Sequence, residues 1–240
     1  MCVEGGSVLV SEVARHNLDP YGLDEDEAPV AKVPASEFLA RTVTLFDWDD
    51  TLLASTFLAG CGLRVDDSYD LPESLEKLLR DLETLVLAVM KEALQYGLVR
   101  IITNAETGWV ELSGRRFLPR VVEFIEANDI RVVSARSAYE GDFPDSPSDW
   151  KVQAFAAEME DVFPEQDEKL ECNVLVLGDS MSEREAAHAV ASRFAFSRIK
   201  TVKFIERPSI EQLQRQISLV QSSFRDLWDH DGSFDVNLVC

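Results

Sequence analysis

Residues 42–56 read TVTLFDWDDTLLAST. A β-branched, apolar run from Thr42 to Phe46 meets three aspartates, Asp47, Asp49 and Asp50, with no spacer. Thr, Val, Leu and Phe suit a strand that is covered on both faces. Carboxylates gathered at one strand end repel one another unless a cation or a shared proton compensates. A fold that ends a buried strand in negative charge must therefore bring a partner to that point.

Further strand-like runs follow at 98–103 (LVRIIT), 130–134 (IRVVS), 173–177 (NVLVL) and 201–205 (TVKFI), each apolar on both faces like 42–47. Helical patterns separate them. Residues 72–96 place Leu75, Leu78, Leu79, Leu82, Val86, Val89 and Ala93 at three-to-four spacing, and Gly97 stops the pattern. Further helices are predicted for Pro119 to Ala127, Lys151 to Met159 and Ser182 to Ser192. A last one opens at Ser209, where Gln212 completes a capping box, and its stripe of Ile210, Leu213, Ile217, Val220, Phe224 and Leu227 reads as core packing. Strands alternating with helices predict an α/β fold, a doubly wound parallel sheet in a three-layer, Rossmann-like sandwich. Residues 1–40 are acidic and broken by prolines, and read as an extended or partly disordered arm; 41–230 form the body and 231–240 a tail.

Composition narrows the function classes. The 240 residues are 46% hydrophobic, enough for one sizeable core. A formal charge of -21 disfavours a nucleic-acid partner, because phosphate backbones are repelled rather than neutralised. The four cysteines, Cys2, Cys61, Cys172 and Cys240, lie far apart, and His16, His188 and His230 make no metal-ligand spacing, so neither a disulfide framework nor a zinc site is expected. The first twenty residues lack the pattern of a signal peptide, and no apolar run approaches membrane-spanning length. Cys240 is terminal, whereas prenylation needs a cysteine fourth from the end. The expectation is a cytoplasmic protein with no membrane partner.

In doubly wound sheets the binding crevice lies beyond the carboxyl ends of the strands. There the chain sets Asp47 and Asp49 after the first run, Thr103 and Asn104 after the second, and Gly178 and Asp179 after the fourth, with Glu183 one helical turn on. Lys151 stands near a helix start between the third and fourth runs. Singly, such residues serve as turns or caps. Together they form an oxygen-only donor set, without imidazole or thiolate, that suits Mg²⁺ completed by a substrate phosphate.

At these residues the chain resembles the haloacid dehalogenase superfamily, most of whose members are phosphatases and phosphotransferases. DWDDTLL is similar to its DxDxT motif, IITN to its strand ending in Thr or Ser, Lys151 in SDWKVQAF to its lysine, and VLVLGDSMSERE to its GDxxx[DE] motif, in the family's order across residues 42–185. The resemblance implies a phosphoric monoester hydrolase with Asp47 as nucleophile, forming an aspartyl-phosphate. It makes Asp49 the general acid and then the base. An aspartate at this position favours phosphoryl chemistry over dehalogenation. Thr103 would bond the phosphoryl group and Lys151 would hold both nucleophile and phosphate. Mg²⁺ would be ligated by Asp47, Asp179 and the backbone carbonyl of Asp49, with Asn104 and Glu183 in support. Asp50 reads as a turn residue.

Members of this family carry cap domains after the first motif or after the third strand. Here Leu53 to Leu98 holds only a loop and a helix, and Ala135 to Trp150 only a loop, so a capless site is expected. A flap at Phe57 to Asp67 would cover it, with Phe57, Leu58 and Arg64 as substrate contacts. An open site admits a phosphoprotein or a phosphorylated small molecule, and a homo-oligomer would roof it for the latter. Three alternatives differ in class. A phosphorelay receiver would carry its phosphoacceptor after the third strand, where SARSAYE has no aspartate directly after it. A catalytically silent scaffold and a phosphotransferase to an acceptor other than water stay open.

Overall fold

In the computed structural model, described residues are 41–66, 70–163, 172–191, 193–194 and 197–239; the predicted arm, 1–40, lies outside them. The run at Thr42–Phe46 is strand β1, followed by β2 (Leu98–Thr103), β3 (Arg131–Ser134), β4 (Cys172–Gly178), β5 (Ser197–Lys203) and β6 (Phe234–Asn237). All pair in parallel, in the order β3-β2-β1-β4-β5-β6. The helices are α1 (Ser55–Gly60), α2 (Glu73–Tyr96), α3 (Trp109–Phe117), α4 (Pro119–Ala127), α5 (Ala135–Tyr139), α6 (Pro147–Val162), α7 (Met181–Ala191) and α8 (Ile210–Asp229).

Strand periodicity feeds two cores. Phe46, Leu175 and Leu177 join Leu82 and Val86 of α2 and Leu213 and Phe224 of α8. Val43, Leu45, Val174 and Val176, one residue out of phase, join Phe155 of α6 and Val190 of α7. Side chains that alternate across a strand thus explain why every residue of β1 is buried. The strand order reverses between β1 and β4, and at such a switch point the connections leave in opposite directions and open a crevice at the carboxyl ends. This is a Rossmann-like α/β architecture.

Local chemistry sets the ends of the elements. Ser209 accepts from Gln212 N while the Gln212 side chain accepts from Ser209 N, so the capping box at α8 is formed as expected. At α4, Pro119 occupies the first turn and Leu118 offers no side-chain cap; Glu83, buried on α2, instead accepts from Arg120 N at 2.6 Å. That contact pins α4 to α2.

Two expectations need correction. Residues 231–240, read as a tail, contain β6, which extends the sheet beside β5. Its four residues, FDVN, alternate apolar and polar side chains on an edge and carry too little apolar signal to mark a strand. The loop expected over Ala135 to Trp150 begins as α5, capped by Ser134 Oγ accepting from Ser137 N, and ends inside α6. Among the described residues, no helix is long and apolar enough to cross a membrane.

Candidate active site

Two strand ends build the centre of the site. Asp47 N donates to Leu177 O at 2.9 Å, which fastens the first residue beyond β1 to β4. Lys151, one turn into α6, is 1% exposed, and its Nζ lies 2.6 Å from Asp47 Oδ1 and 3.0 Å from Glu183 Oε1. The ammonium also donates to Ile102 O of β2 at 2.5 Å. Three donors and three acceptors match, so a fully buried cation has no unmet bond. Asn104 Nδ2 donates to Pro147 O at 3.3 Å, tying the end of β2 to the first turn of α6 and so fixing where Lys151 enters.

Glu183 reaches the lysine because residue 178 is glycine. A Cβ there would stand 2.4 Å from Glu183 Cγ. Ser180 holds the other carboxylate oxygen through its N–H at 3.1 Å and its hydroxyl at 2.5 Å. Burial pushes Glu183 up, but Lys151 and the Ser180 hydroxyl outweigh it and hold the carboxyl at about 2. Burial likewise pulls Lys151 down, and the Asp47 and Glu183 carboxylates more than restore it, leaving it above its ordinary value.

The remaining carboxylates are not balanced. Burial raises Asp47 to about 7 against the pull of Lys151, and Glu183 and Asp49 add repulsion. Burial raises Asp179 to about 8, with Asp47, Glu183 and Asp50 adding to it. One ammonium therefore faces more negative charge than it neutralises. Asp50 is a turn residue, as expected: its φ is 56°, and Oδ1 accepts from Thr56 N at 3.0 Å in the first turn of α1.

Asp49 sits one residue beyond the fully buried Trp48. Thr103 Oγ1 approaches Asp49 Oδ2 at 3.4 Å, and Trp109 Nε1 donates to Oδ1 at 2.9 Å. Sequence reasoning missed Trp109. An indole N–H needs a partner when half-buried, but no spacing links position 109 to position 49. A chain of contacts holds it: Trp48 Nε1 donates to Ser113 Oγ at 3.0 Å, and Ser113 Oγ donates to Trp109 O at 2.7 Å, one turn back along α3.

The expected flap is α1 followed by a turn, as far as the described residues reach at Asp66. Phe57 packs against the core cluster of α2 and α8. It does not line the cleft beside Asp49; its ring gains more by packing than by facing water. Arg64 does line that cleft and pairs with Asp66 at 3.1 Å.

Among the described residues, no group of three or more His, Cys, Asp or Glu side chains is arranged to hold a metal ion. The set implied for Mg²⁺ has two side-chain carboxylates, Asp47 and Asp179, and one carbonyl, that of Asp49. Its oxygen donors and its uncompensated charge fit a hard divalent cation. Comparison of the chain with protein-family models, curated proteins and solved structures finds no match.

Proposed function

We propose that this protein is a Mg²⁺-dependent phosphatase of the haloacid dehalogenase type, without a large cap, that hydrolyses a phosphate monoester through an aspartyl-phosphate. The observation that carries the reading is the buried Asp47–Lys151–Glu183 array, at 2.6 and 3.0 Å, with Asp49 beside it at the switch point of a parallel sheet. Asp47 and Asp179, with the Asp49 carbonyl, would hold Mg²⁺, which when bound offsets the phosphate's charge.

Asp47 Oδ1 is engaged by Lys151, while Oδ2 has only a long 3.4 Å contact from Thr51 Oγ1 and is the freer oxygen for attack. It bonds to phosphorus as the ester P–O bond breaks; the electron pair leaves with the alcohol oxygen, which takes a proton from Asp49. Asp49 then removes a proton from water as that water attacks phosphorus, and Asp47 is released. Lys151 and Thr103 supply donors for the phosphoryl charge.

The test is hydrolysis of p-nitrophenyl phosphate with and without Mg²⁺, by the unaltered protein and by Asp47→Asn. Metal-dependent turnover that disappears in the variant supports the reading. A folded protein without turnover that still binds Mg²⁺ would favour the silent binding module instead.

A further inference from the structure

A cavity of about 420 Å³ opens beside Asp49, between α1, the turn to Asp66 and α3. Its walls include Leu53, Leu58, Leu63, Val65, Trp109 and Phe117. Besides Asp49, the polar groups are the hydroxyls of Ser55 and Thr56 and the exposed rim pair Arg64–Asp66. The volume lies within the range of small-molecule pockets, and an apolar wall with a few placed polar groups is their usual make-up. Asp49 is the one member of the proposed chemistry in the lining, so the cavity meets the reaction at the group assigned to protonate the departing oxygen.

We infer that this cavity receives the alcohol side of the ester, that this alcohol is apolar, and that Trp109 both walls the cavity and positions Asp49. The inference rests on the phosphatase reading of the same site. A sugar or polyol would leave its hydroxyls facing leucine, valine and phenylalanine, a loss that a hydrocarbon ring does not incur.

Trp109 adds an orientation argument. Indole N–H donates and cannot accept, so its bond to Oδ1 fixes how the Asp49 carboxylate is turned. Oδ2 accepts from Thr103 Oγ1 at 3.4 Å, so the carboxylate is held from both sides. Trp109 is thus a positioning residue, acting through Asp49.

Benzyl phosphate and glycerol phosphate test the subsite, since both are esters of alcohols that need protonation to leave. Calorimetric titration of Asp47→Asn with each, in Mg²⁺, separates binding from turnover. Benzyl phosphate is expected to bind about 10- to 100-fold tighter. Leu63→Asp, or Ala59→Trp on the exposed face of α1 if the first variant folds poorly, brings the ratio near one. Equal affinities for the two esters, or a preference that neither variant moves, would overturn the subsite. If the preference holds while the unaltered protein turns over neither ester, the phosphatase reading fails and the apolar subsite stands. Trp109→Phe keeps a wall and removes the N–H: kcat for benzyl phosphate falls at least about tenfold more than for p-nitrophenyl phosphate, whose leaving group needs little protonation. Equal losses on the two would overturn the positioning role.

Discussion

Trp48 Nε1 and Ser113 Oγ are 3.0 Å apart, and that bond joins the acidic loop after β1 to α3, the helix that carries Trp109. Trp48 is wholly buried, so its N–H has no water to turn to, and Gly114 beside Ser113 leaves room for two neighbours: a Cβ at 114 would stand 2.4 Å from Val122 Cγ2 and 3.3 Å from Trp48. Ser113→Ala leaves a buried donor unsatisfied and is expected to cost about 1–3 kcal/mol, read as a lower urea midpoint with unchanged slope. No change in midpoint would mean that the indole finds another partner.

Gly178→Ala tests the glycine at the end of β4. The new methyl would meet Glu183 Cγ at 2.4 Å, so the carboxylate must leave Lys151 or the strand must shift. Overpacking of this kind costs about 1–3 kcal/mol. The expected result is a loss of stability together with reduced phosphatase turnover, because both trace to one displaced side chain; stability loss with turnover intact would detach Glu183 from the chemistry.

Lys151→Met keeps the volume and removes the charge, leaving Asp47 and Glu183 buried without their cation. Breaking a buried ion pair on one side costs about 3–5 kcal/mol. Denaturant unfolding at neutral pH should show it. A smaller loss in the presence of Mg²⁺ than in its absence is also expected, since a second cation then shares the site.

The elements legible in the sequence are those whose signal is local. β1, β2 and β4 declare themselves by apolar runs because both faces are covered, and α4 and α8 by Pro119 and by the Ser209–Gln212 box. β5 was expected at 201–205 but runs from Ser197 to Lys203, since Ser197, Arg198 and Lys200 hide a strand whose inner positions are nonetheless buried. α3 carries Gly114 and three charges in nine residues, which obscures its apolar stripe. At the site, Asp47 and Lys151 meet as expected, whereas the pairing of Glu183 with Lys151 depends on how α6 and α7 pack, and the hold of Trp109 on Asp49 joins residues 60 apart in the chain and depends on how α3 docks.

Lys200 gives a pH dependence away from the site. It is fully buried on β5, and burial, with Arg198 adding to it, pulls its ammonium down to about 8 from 10.5. The unfolded chain then binds more protons between those values, so stability rises with pH across the window from about 8 to 10.5, by up to about 3 kcal/mol. Below pH 8 the cost of burying the charge is present in full. Lys200→Met should flatten this rise in unfolding experiments from pH 7 to 10.5 and be more stable than the unaltered protein at the lower end. A parallel pair of curves would show that another group carries the dependence.

Mg²⁺ should act as a stabilising ligand whether or not a substrate is known. Asp47 and Asp179 repel each other and Glu183 in a pocket where Lys151 is the buried cation, and a divalent ion relieves that repulsion only in the folded protein. At a hundred times its dissociation constant such a ligand adds about 2.7 kcal/mol. For a domain of this size that raises Tm by about 5–10 °C. Asp179→Asn removes one proposed side-chain ligand and one repelling carboxylate together: the metal-free variant should melt no lower than the unaltered protein, yet gain little from Mg²⁺. An equal gain in both proteins would place the ion somewhere other than between β1 and β4.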